Sequence, residues 1–147
     1  MKKINSQMHL HPQASGEQRG RYCERYTAIL TDTILTWHFS NTPFNEGSDI
    51  EPLKMSVKSA RFTLATTLYG DTKEEKITDY FNRTASTSWA YVARNGNIYI
   101  MNKTEFTELL NQFCSLQKAS TKNGGQMTVR MRAETKKMRE WLEGQVN

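Results

Sequence analysis

The chain has 147 residues, of which 37% are hydrophobic and 24% charged, and carries a formal net charge of +5. That length suits one domain able to bury roughly two thirds of its unfolded surface. The composition excludes a disordered tail, a repeat array and a membrane-spanning segment. A modest positive excess would suit a polyanionic partner without requiring one.

Residues 1–16 hold Lys2, Lys3, Pro12, Ser15 and Gly16 but no apolar run of signal-peptide length. They read as a flexible arm on a protein that stays in the cytoplasm. From Glu17 to Trp37 the positions Tyr22, Tyr26, Ile29, Leu30, Thr33 and Trp37 recur at helical spacing, which predicts a first helix with that stripe inward. A short strand is expected near residues 36–41, then a turn at Pro43 and Gly47. An extended piece over Asp49–Glu51 follows, with a break at Pro52 and a strand from Lys54 to Leu64. A second helix should begin near Thr72, with acids in its first turn and Ile77, Phe81 and Thr84 on one face. SWAYVARNGNIYIMN reads as a strand pair about Asn95-Gly96, the strongest short hairpin signal. KTEFTELLNQFC reads as a helix through Phe106, Leu109, Leu110 and Phe113, followed by a polar loop ending at Asn123-Gly124-Gly125. A strand, MTVRMR, and a last helix, ETKKMREWLEG, complete the chain. Residues 17–147 thus form one α/β domain with a mixed sheet and a C-terminal helix-strand-helix extension. Cys23 and Cys114 lie far apart in helical stretches and read as buried thiols in a reducing compartment.

Strand alternation places Ser56, Lys58, Ala60 and Phe62 on one side of the strand and Met55, Val57, Ser59 and Arg61 on the other. A preceding extended segment ending at Asp49 can deliver its carboxylate beside Ser56 and Lys58, so that an acid, a lysine and a hydroxyl converge. Glu24 points away from the Tyr22–Ile29 stripe, the position of a solvated helix face. Glu74 lies three residues before Ile77 and extends the buried stripe of the second helix. After Cys114, Lys118, Lys122, Arg130, Arg132, Lys136, Lys137 and Arg139 outnumber Glu134, Glu140 and Glu143, which makes a basic face; Arg130, Arg132, Lys136 and Lys137 are its nucleic-acid-binding candidates. His9, His11 and His38 lack partners at ligand spacing, and zinc is rejected.

The segments RGRYCERYT, GSDIE and MSVKS and the helix after them resemble the PD-(D/E)XK, or restriction endonuclease-like, nuclease superfamily over about Gly20 to Met101. The resemblance implies an αβββαβ core, with Asp49 as the metal-binding aspartate, Lys58 as the lysine of the second half-motif and Glu24 as the acid of the first helix. That half-motif reads Ser56-Val57-Lys58, with serine where the superfamily usually has an acid. Some members with S-x-K take the missing carboxylate from the next helix, where Asp71, Glu74 and Glu75 stand, Glu74 being best placed. Glu51, two residues past Asp49, is the weaker substitute. The catalytic set implied is Asp49, Lys58, Ser56, Glu74 and Glu24, with Asp49, Glu74 and Glu51 on a magnesium ion for which manganese can substitute. Magnesium takes oxygen ligands and keeps several waters, so carboxylates suffice to hold it at a scissile phosphate. The implied activity is that of a DNA endonuclease or nickase of phage, plasmid or restriction type, acting on duplex DNA and compatible with a homodimer. The alternative is a catalytically inactive nuclease-fold protein that binds nucleic acid or a protein partner as an accessory or counter-defence factor.

Overall fold

Trp89, Ala90, Tyr91, Val92 and Ala93 are consecutive and all buried. A strand with two apolar faces must be covered on both sides, which dictates layers above and below it. A computed structural model describes residues 1–6, 16–31, 48–50, 53–118 and 127–147. In chain order the elements are β1 (Lys2–Ile4), α1 (Gly16–Leu30), β2 (Met55–Ser59), α2 (Lys73–Arg83), β3 (Ser88–Val92), β4 (Ile98–Met101), α3 (Lys103–Phe113), β5 (Ser115–Lys118), β6 (Met127–Arg130) and α4 (Lys136–Gln145).

The main sheet is mixed, with strand order β1-β4-β3-β2. β2 and β3 are parallel and joined through α2, whereas β3–β4 and β4–β1 are antiparallel. One face carries Met55, Val57, Ala90, Val92 and Ile98 against Cys23 and Ala28 of α1. The other carries Trp89, Tyr91, Tyr99 and Met101 against α2, α3 and α4. There the Trp89 and Phe106 rings stack with centroids 5.2 Å apart and planes 7° from parallel. Each such fully buried aromatic stabilises the fold by roughly 1.5–3 kcal/mol.

Local chemistry fixes the ends of these elements. Thr72 caps α2 by accepting from the Glu75 N–H, and Thr135 caps α4 by accepting from the Met138 N–H. Asn102 and Glu105 form a reciprocal capping box at α3. The β3–β4 hairpin turns through Gly96 at φ 91°, a left-handed conformation that glycine adopts without a Cβ penalty. Both cysteines are free and buried, and burial pushes Cys23 up to about 11 and Cys114 up to about 12. Neither thiol is reactive at neutral pH.

Several expectations are corrected. The first part of the presumed flexible arm is strand β1, with Lys2, Lys3 and Ile4 opposite Ile100, Tyr99 and Ile98. The pairing is non-local, so no periodicity near residue 1 could announce it. Of the stripe read as the inner face of α1, Tyr22, Ile29 and Leu30 are exposed, at 45%, 73% and 38%, whereas Tyr26 packs against the core; Thr33 and Trp37 lie outside the described residues. The small side chains of Cys23, Thr27 and Ala28 are buried instead, because they let the helix approach the sheet closely. The strand expected over Lys54–Leu64 is divided. Its ladder with β3 ends as the Ala60 N–H donates to the Val92 carbonyl, and Arg61 turns the chain at φ 67°. Residues 62–64 then pair with β6, which also pairs with the unforeseen strand β5. Cys114 caps the C-terminus of α3 rather than lying within it. The strand expected near 36–41 lies outside the described residues.

Candidate active site

β2 is an edge strand of the main sheet, and its free side is met by Asp49 and Ile50. Ile50 and Met55 exchange two backbone hydrogen bonds, at 2.9 and 3.1 Å. One step further along, the Val57 N–H donates to Asp49 Oδ2 at 2.7 Å. The aspartate side chain thus continues the ladder in place of a neighbouring strand and is fixed in the plane of the sheet.

Glu24 reaches this point from α1. Its neighbours Cys23 and Thr27 are buried, so Glu24 lies on the flank of the face that meets the sheet, half-buried. Burial, the Asp49 charge and a side-chain hydrogen bond with Asp49 push the Glu24 carboxyl up to about 7, against the pull of Lys58 and Arg21. The Asp49 charge beside it disfavours ionisation of Glu24, because like charges in contact repel. Together the two side chains offer a pair of oxygen donors from different elements.

Lys58 stands on the β2 face opposite Met55 and Val57. Its ammonium donates to the Leu64 carbonyl at 3.1 Å and is near enough to lower the pKa of Glu24. Among the described residues no ion pair joins it to Asp49, and the Leu64 carbonyl is the acceptor it meets. Ser56 does not join the group: its hydroxyl shares a hydrogen bond with Ser86 at the end of the α2–β3 connection.

Glu74 is exposed in the first turn of α2 and has no hydrogen-bond or ion-pair partner among the described residues. Glu51 lies outside the described residues. Among those described, no three His, Cys, Asp or Glu side chains gather closely enough to hold a metal ion. Two facing carboxyl groups nevertheless supply the hard oxygens that a magnesium ion takes while keeping most of its waters.

The basic candidates divide. Arg130, on β6, is half-buried, and its Nε is shielded without a hydrogen-bond partner. Arg132 donates from Nε to Gln117 Oε1 at 2.6 Å. Lys136 and Lys137 are exposed on α4, Lys136 standing 3.9 Å from Glu140 in an ordinary surface pair. Apart from these sites, a cleft of about 490 Å³ opens among Thr67–Asp71, Lys76 and Met127; it holds Asp71 but neither Glu24, Asp49 nor Glu74. The buried Lys76 ammonium donates to the Leu68 carbonyl at 3.0 Å there and ties the loop before α2 to the helix.

Two participants escaped the sequence, Ser86 and the Leu64 carbonyl. Ser86 stands 30 residues from Ser56 and carries no local signal. A backbone carbonyl has no residue identity to read. No protein-family model, no curated protein and no solved structure matches the chain. No helix in the described residues is long and apolar enough to cross a membrane.

Proposed function

We propose that the chain is a magnesium-dependent phosphodiesterase that cuts duplex DNA, with Glu24, Asp49 and Lys58 at its centre. The observation that carries this reading is the contact of two carboxyl groups from different elements, Glu24 and Asp49, within range of the Lys58 charge. The connectivity supports it. Helix α1, the extended Asp49–Ile50, β2, α2 and β3 follow one another as in the restriction endonuclease-like core, with β3 parallel to β2 and β4 antiparallel to β3.

Glu24 and Asp49 would hold the ion, with Glu24 from the first helix as the second carboxylate in place of the expected Glu74. When bound, magnesium acidifies an attacking water and offsets charge on the phosphate. The protein's own groups then have distinct tasks. The Val57 N–H fixes the orientation of Asp49. Glu24 holds its proton at low pH and releases it as pH rises through about 7, which frees its carboxylate for a cation. Lys58, anchored by Leu64, presents its ammonium to a phosphate oxygen or to the attacking water.

A second reading is a nuclease-fold protein that binds nucleic acid or a protein partner without cleavage. It is favoured by the want of a third metal-capable side chain in the described residues and by the engagement of Ser56 with Ser86. Incubation of supercoiled plasmid with magnesium or manganese separates the two. The wild type should nick or linearise it and Asp49→Asn should not, whereas intact plasmid under both metals selects the second reading.

A further inference from the structure

The β5–β6 ribbon has two unlike faces. Leu116 and Val129 are opposite each other in the register and pack on the core. The other, outer face carries the pairs Ser115–Arg130 and Gln117–Thr128; it is open at Ser115, half-buried at Gln117 and Arg130 and closed at Thr128, with the exposed Arg132 drawn onto it by its bond to Gln117.

The ribbon is tied to Lys58 through residues 62–64. The Leu64 N–H donates to the Val129 carbonyl and the Met131 N–H to the Phe62 carbonyl, both at 2.9 Å, so residues 62–64 form a third strand beside β6. Thr63 stands opposite Arg130. Leu64 is also the residue whose carbonyl anchors Lys58. One residue therefore links the lysine of the site to the strand that bears Arg130.

Arg130 is the anomaly on this surface. Its Nε is shielded from water and bonded to nothing, and no carboxylate pairs with its guanidinium among the described residues. The Nε is as closed to a phosphate as to water, so only the terminal nitrogens of this half-buried guanidinium can meet one, and their geometry matches the paired oxygens of a phosphate. Arg132 spends only Nε on Gln117, so its terminal nitrogens point to no protein acceptor among the described residues.

We propose that the outer face of this ribbon grips the phosphate backbone of duplex DNA, with Arg130 and Arg132 each on a phosphate. The proposal rests on the DNA substrate of the reading above but not on cleavage, and it assigns the grip to the ribbon rather than to Lys136 and Lys137 of α4.

The test is binding of a labelled duplex, measured by fluorescence anisotropy across a range of salt with chelator present, so that no cleavage intervenes. Arg130→Met and Arg132→Met keep the apolar stem and remove the charge. Each should lower the salt slope by about 0.9 and weaken binding about eightfold at about 0.1 M salt. Arg130→Lys should keep the slope. Lys2→Ala removes a charge from β1, at the opposite edge of the main sheet, and should change neither quantity; thermal melts confirm that each variant is folded. If both methionine variants behave like Lys2→Ala, or if the wild type binds no duplex at low salt, the proposal is overturned and an acidic protein becomes the ribbon's candidate occupant. Ribbon-dependent binding by a protein that never cuts upholds this interface while removing the nuclease reading.

Discussion

Two buried carboxylate settings in this molecule have opposite constructions. Glu134, next to the N-cap of α4, is 5% exposed. Its Oε1 accepts from the Tyr91 hydroxyl at 3.0 Å and its Oε2 from the Arg94 N–H at 3.2 Å, with Arg139 at 4.0 Å. Every neighbour is a donor, and the Glu134 charge in turn raises the Tyr91 phenol, already pushed up by burial, above its ordinary value. At the free edge of β2, Asp49 has one backbone donor and another carboxyl group for company. A carboxylate surrounded by donors holds a fold together, whereas one facing another carboxyl group gains no such partner there. On the function proposed above, that contrast separates structural from functional acids better than burial does.

The largest expected effect is on cleavage. Glu24→Gln and Asp49→Asn should each reduce metal-dependent plasmid cutting to background and weaken manganese binding by calorimetry, while Glu134→Gln should retain cutting in whatever fraction remains folded. Full activity in Glu24→Gln would remove Glu24 from the site and return the second carboxylate to Glu74 or Glu51. Stability should show the reverse order. Glu134→Ala strands the Tyr91 hydroxyl and the Arg94 N–H, and urea denaturation should register a loss of about 3 kcal/mol.

The pH dependence sharpens the contrast further. Glu24 is raised in the folded state from 4.5 to about 7, so its stabilising contribution is full below the lower value and is lost as pH rises through the upper one. Without metal, stability from this site should therefore decline with rising pH across that window. Asp49→Asn should flatten the decline without abolishing it, because burial is the largest cause of the shift and the Asp49 charge the second. A carboxyl titration by NMR that finds Glu24 at the same pKa in wild type and Asp49→Asn would contradict the contact. The smallest effect concerns neither site: Thr72→Ala removes the cap of α2 and should lower stability by about 1 kcal/mol, read by thermal denaturation.

What was legible in the sequence follows the range of the interactions. Caps at Thr72 and Asn102 and the hairpin at Asn95-Gly96 are set by residues a few positions apart, and each stands where its local pattern places it. β1 and β5 are short and polar, and exist only through partners elsewhere in the chain. The run from Lys54 to Leu64 reads as one strand because a left-handed residue at Arg61 leaves no mark in an alternating pattern. At the candidate site Asp49 and Lys58 stand on neighbouring extended segments as their spacing suggested, but they take different partners, the Val57 N–H and the Leu64 carbonyl. The contact with Glu24 was obscured by the aromatic and aliphatic stripe of α1, of which Tyr22, Ile29 and Leu30 are exposed in the fold. Hydrophobicity alone misassigned the inner face, since close approach to the sheet selected small side chains over large ones.

The pairing of β1 also sets what it costs to close the main sheet. Lys2 lies opposite Ile100, Lys3 forms an ion pair with Glu143 at 2.7 Å, and the Asn147 N–H donates to the Met1 carbonyl at 3.4 Å. Each of these contacts joins segments far apart along the chain, and the entropy of closing so long a loop must be met before any of them forms. Loop-closure entropy grows only slowly with length, so a three-residue strand can cover the β4 edge when the ion pair and the terminal hydrogen bond act with it.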